Sequence, residues 1–88
     1  MEEERNRLSC RLATLAGIRT LPSIGAWILV RVDHPADVAR KVNRRLAAGT
    51  ARVPRHVPGA LRLPVRDPRR NEELFRTLQD LLAPCADG

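Results

Sequence analysis

Residues 59 to 75 read GALRLPVRDPRRNEELF. Leu61, Leu63 and Val65 alternate along a short run of strand formers, and Arg62 stands at its centre. Alternation of this kind is the mark of a strand with one buried face. The run breaks at Asp67-Pro68, where aspartate suits a helix N-cap and proline suits the first helical turn. Leu74, Leu78, Leu81 and Leu82 then form a helical stripe that Pro84 ends. A strand running directly into an amphipathic helix predicts a sheet covered by helices. It also raises the question of why a permanent cation is set into the strand.

The same grammar extends upstream. AWILVRV, residues 26–32, is dense in β-branched and aromatic residues and reads as a second apolar strand. Asp33 and Pro35 follow as an N-cap region and a first-turn proline, and Val38, Val42 and Leu46 recur at four-residue steps until Gly49. Brief strands are expected at Ile18–Leu21 and Thr50–Val53, with Pro54 and Pro58 in the loop before residue 60. Near the start, Leu8, Leu12 and Leu15 lie on one helical face, Glu2, Glu3 and Glu4 complement the helix dipole, and Gly17 is the expected stop. The order α, short β, β, α, β, β, α predicts an α+β sandwich of two layers. We expect a small mixed sheet of three to four strands with three helices mainly on one face. The strands at 26–32 and 60–65, being the most apolar, are expected to be central. Pro64 cannot donate a ladder hydrogen bond, so it implies an edge or an early strand end.

The chain has 88 residues, enough for a single domain over residues 1–88 with one modest core. A domain of this size buries only roughly 60 to 65 % of its unfolded surface, so a partner would help it. Leucines left exposed on the first helix would favour a homodimer. Sixteen basic residues against ten acidic ones give a formal charge of +6, a balance that attracts anions without selecting one. Arg40, Lys41, Arg44 and Arg45 read as the solvated face of the second helix, because no aromatic platform accompanies them and helix-turn-helix spacing is absent. A small basic module for nucleic acid or another polyanion is therefore the second reading, resting on charge alone, and nucleic acid is disfavoured.

Cys10 and Cys85, near opposite ends, do not make a disulfide framework, and Cys10 reads as packing beside the first helix's apolar face. His34 reads as a helix-start residue and His56 as a loop residue, with no nucleophile assigned to either. No metal-ligand spacing occurs. The longest apolar run, residues 26–30, is too short to span a bilayer, and a reducing cytoplasm is the expected compartment.

PSIGAWILVRV, a helix ending LAAG, an arginine-bearing strand and then ALRLPVRDPRRNEELFRTL together resemble the C-terminal small domain of class I/II pyridoxal-phosphate aminotransferases. The similarity is nearest to histidinol-phosphate aminotransferase and threonine-phosphate decarboxylase, and it runs over about residues 5–83. Its most specific part is Leu61-Arg62 with Val65, Pro68 and Asn71. In that family the arginine of the Leu-Arg strand binds the substrate's carboxylate or phosphate, so the resemblance assigns Arg62 to an anionic small-molecule substrate, aimed into a cleft. Guanidinium suits the task, being a planar fork that keeps its proton. A second substrate-facing arginine matches Arg52 most nearly. It falls one residue early after Gly49, and Arg55 competes.

The sequence departs from the pattern at Ala26-Trp27, where the family carries Asn-Phe, and at Arg66, where it carries Gly. The resemblance also implies that the Schiff-base lysine and cofactor-cupping groups belong to a large domain, since Lys41 matches no Schiff-base motif. It implies a chain inactive alone that binds no cofactor by itself, and that either complements a large-domain polypeptide or persists as a remnant without activity.

Overall fold

The computed structural model describes residues 2–21 and 25–82. Its elements are α1 (Glu2–Leu12), β1 (Arg19–Thr20), β2 (Trp27–Arg31), α2 (Pro35–Arg45), β3 (Ala60–Pro64) and α3 (Pro68–Leu82). They form the expected α+β arrangement, a sheet of order β1-β2-β3 with the helices packed together on one of its faces.

The sheet is antiparallel at both pairings, not mixed. A helix alone would return the chain to start a parallel neighbour. Here residues 46–59 follow α2 and carry the chain back along the sheet, so β3 enters in the opposite sense. Of the two apolar strands, β2 is central and β3 is lateral. The strand expected at Thr50–Val53 reduces to one bridge, Arg52 against Arg62.

Proline explains that brevity. Val65 and Val32 N–H donate to Ala26 and Gly59 C=O, so odd-numbered β3 residues bond toward β2, while Arg62 and Pro64 turn their nitrogens outward. The missing N–H of Pro64 thus falls on the outer edge, where it ends pairing.

The core gathers Leu8 and Leu12 of α1, Val38 and Val42 of α2, and Leu74, Phe75 and Leu78 of α3 over Ile28, Val30, Leu61 and Leu63 of the sheet. Leu12, Ile28, Leu61, Leu63 and Leu78 are almost wholly buried, each contributing roughly 1.5 to 3 kcal/mol of transfer free energy. The leucines of α1 are therefore not exposed, and they supply no dimer surface; Leu15 too packs against the core. Leu81 and Leu82 are only half-buried, and Phe75 closes the α3 stripe instead. Cys10 points to solvent instead of packing. The expected stop at Pro84 and any Cys10–Cys85 pairing fall outside the described residues.

The helix ends differ in detail. α1 ends at Leu12, five residues before Gly17, which has a φ of 87°. The N-cap of α2 is His34, in the left-handed region, in place of Asp33; its carbonyl accepts from Asp37 and Val38 N–H. α3 starts as expected, with Asp67 Oδ1 accepting the Arg70 N–H at 2.9 Å. Asn71, buried in the first turn of α3, ties the helix to the strand: its Oδ1 accepts the Arg66 N–H at 2.8 Å and its Nδ2 donates to Arg66 C=O at 2.8 Å. Among the described residues no helix is long and apolar enough to cross a membrane.

Candidate functional site

Alternation along β3 answers the question raised by Arg62. Leu61 and Leu63 face the helices, so Arg62 must project from the opposite face, on which no helix packs. Register then defines its neighbours. Leu29 lies opposite it on β2, Arg52 lies opposite on the outer side, and Trp27 is the diagonal neighbour. The guanidinium carbon of Arg62 sits 4.1 Å from the centroid of the Trp27 ring. Its Nε is buried and has no hydrogen-bond partner among the described residues. The indole face attracts the cation yet offers no lone pair to that donor.

Arg52 is brought to Arg62 by two reciprocal backbone bonds. Arg62 N–H donates to Arg52 C=O at 2.7 Å, and Arg52 N–H donates to Arg62 C=O at 3.0 Å. A hydrogen-bonded antiparallel pair puts both side chains on one face. Arg52 rather than Arg55 therefore stands beside Arg62, and Arg55 lies exposed in the following turn.

The residue that fixes Arg52 is Asn43, which the sequence reading did not single out. From α2 its Nδ2 donates to Ala51 C=O at 3.0 Å and its Oδ1 accepts the Ala51 N–H at 2.7 Å. One amide side chain thus clamps the residue before Arg52, and Ala51 is buried beneath it. The available signal was a poor helix former beside the core residue Val42 in an otherwise regular amphipathic helix.

Electrostatics distinguish this face from most of the helical layer. Among the described residues most helical cations are paired, Arg44 and Arg69 being exceptions: Arg7 with Glu4 at 3.3 Å, Lys41 with Asp37 at 3.2 Å, Arg76 with Glu72 at 3.0 Å, and across helices Arg11 with Glu72 and Arg45 with Asp80. A hydrogen bond from Lys41 holds the Asp37 carboxyl below its ordinary range, and bonds from Arg76 and Arg11 do the same for Glu72. No ion pair among the described residues reaches Arg52 or Arg62.

The resemblance led to a cleft at Arg62, whereas the structure gives an open sheet face. A groove of about 490 Å³ lies elsewhere, with Arg45, Thr50, Pro64, Arg66, Arg70 and Asn71 among its walls, and Arg62 does not line it. Among the described residues Arg62 and Arg52 form one wall without an opposing one. His34 and His56 are exposed, and no cluster of three or more metal-ligating side chains occurs among the described residues. The arrangement can hold an anion, by charge and by N–H donors, but it assembles no nucleophile or proton-transfer pair.

Comparison with protein-family models finds none that matches this chain, and comparison with curated proteins finds no match.

Proposed function

We propose that this chain is the small lobe of a class I/II pyridoxal-phosphate aminotransferase, in which Arg62, assisted by Arg52, holds the acidic group of the substrate. The observation that carries the reading is the state of Arg62: among the described residues it stands on a sheet face that no helix covers, stacked on Trp27, with no carboxylate partner and a buried donor unmet. A charged hydrogen bond from such a guanidinium to a carboxylate or phosphate contributes on the order of 1.5 to 3 kcal/mol. Arg52 adds a second cation at the same position along the strands. Closing an opposing wall over the pair would exclude water and strengthen both contacts.

The residues present do not fit pyridoxal phosphate itself. A Schiff-base lysine works from a desolvated pocket or beside another cation. Lys41, the single lysine, is half-exposed on α2 and ion-paired with Asp37 at 3.2 Å. The groove beside it is walled by Ala16, Asp33, His34, Asp37 and Leu81, and no Phe, Tyr or Trp ring lines it among the described residues. In this reading the cofactor chemistry belongs to a large lobe on other polypeptide, in the cytoplasm, and this chain orients the substrate.

Borohydride reduction of the protein isolated with its associated polypeptide from its native cells, followed by peptide mapping, tests the proposal. A pyridoxyl group is expected on a lysine outside these 88 residues. A pyridoxyl group on Lys41, or none anywhere in the isolated material, would overturn it.

A further inference from the structure

We propose that the open face of the sheet docks an acidic stretch of polypeptide, and that Arg19 and Arg31 anchor it separately from the Arg52–Arg62 pair. The inference rests on register and charge and does not depend on the aminotransferase reading.

Strand pairing arranges this face in rows. Arg19, Arg31 and Ala60 lie side by side in one row; Leu21, Leu29, Arg62 and Arg52 lie in the next; Trp27 and Pro64 lie in the third. Arg19 is directly opposite Arg31, just as Arg52 is directly opposite Arg62, and Arg31 and Arg62 are diagonal neighbours about 7 to 8 Å apart. Like charges opposed across strands destabilise a sheet. Two such pairs lie on one face, and no acidic residue lies on β1, β2 or β3 to offset them.

The contrast with the helical layer is direct. There most cations have a carboxylate within 4 Å, whereas Arg19, Arg31, Arg52 and Arg62 have none among the described residues. Among the described residues Arg31 reaches a backbone carbonyl and no carboxylate, donating to Pro58 C=O at 3.4 Å. Four guanidiniums that lack a carboxylate among the described residues share this face with Trp27, which is 36 % exposed, and that matches the make-up of a docking surface, where Arg and Trp carry much of the binding energy.

The occupant follows from the same facts. A second copy of this face would oppose four cations with four, so self-association through it is disfavoured. Single-stranded nucleic acid needs free aromatic platforms, and the one ring here is already stacked by Arg62. An extended acidic chain presents carboxylates at a two-residue repeat of about 7 Å, which is the spacing of the rows. Arginine forks match those carboxylates bidentately.

Trp27, the only tryptophan, reports binding by fluorescence. The probes are a short peptide alternating glutamate with valine, the same peptide with glutamine for glutamate, and a single-stranded oligonucleotide of equal charge. The glutamate peptide is expected to bind best. Arg19→Ala with Arg31→Ala should weaken it roughly tenfold, the product of two exposed ion pairs, while Arg44→Ala with Arg69→Ala on the helices should not. Arg19→Gln with Arg31→Gln keeps much of each side chain's length and should weaken binding equally, which separates charge from folding. Equal loss in the helix control, equal binding of the glutamine peptide, or tighter binding of the oligonucleotide would each overturn the proposal. Loss at Arg62 alone, with Arg19 and Arg31 indifferent, would overturn it too while leaving the substrate-binding reading intact.

Discussion

Replacing Arg62 by methionine should make the isolated protein more stable. The structure sets the opposing contributions. The Arg62 Nε is buried without a partner among the described residues, and an unmet buried donor costs about 1 to 3 kcal/mol. Arg52, directly opposite, adds a like-charge penalty of about 0.2 to 1 kcal/mol. Against these, the stack on Trp27 contributes about 0.5 to 1 kcal/mol at a partly exposed position. Methionine keeps an unbranched side chain and can rest its sulfur on the ring, recovering part of that contact. The balance is a gain of about 1 kcal/mol, which for a domain this size raises the melting temperature by about 4 to 8 °C. Urea denaturation followed by circular dichroism measures it, with an unchanged slope expected because the exposed area changes little. A loss of more than about 1 kcal/mol would refute the reasoning, since it would mean that Arg62 is a structural residue satisfied within the fold.

Other residues give independent checks. Asn71→Asp should destabilise the protein by about 2 to 3 kcal/mol, because a carboxylate cannot donate to Arg66 C=O and repels it; thermal unfolding reads the effect. Asn43→Ala should cost about 1 to 2 kcal/mol and speed amide exchange at Ala51 and Arg52, because both clamp bonds vanish together. The Glu72 carboxyl is held below its ordinary value near 4.5, so its contribution is present above that pH and is lost as pH falls through the depressed folded value. Arg11→Ala with Arg76→Ala should therefore lower stability at neutral pH and flatten its decline below about pH 4.5, as acid titration of the unfolding midpoint would record.

Much of this architecture was legible in residue spacing. Val38 and Val42 marked the buried side of α2, Leu74 and Leu78 that of α3, and the alternation Leu61-Arg62-Leu63 determined which way Arg62 projects. Pro64 signalled a strand end for a reason that the outward nitrogen makes concrete. What spacing could not supply was pairing. The opposition of Arg19 with Arg31 and of Arg52 with Arg62 depends on how far residues 46–59 carry the chain before β3 begins, a distance no local pattern encodes. Asn43 was hidden for a similar reason: its partners are eight residues away across a turn. Asp33 looked like the cap of α2 by propensity, yet His34 takes the position in a left-handed conformation that histidine adopts more readily than most residues.

The most direct test is to follow the side-chain Nε–H resonance of Arg62 by NMR while adding inorganic phosphate, and separately succinate, at low salt. The account predicts a saturable shift at Arg62, weakened by Arg52→Ala and unaffected by Arg44→Ala. An Arg62 signal that stays fixed while arginines of the helices shift would contradict it.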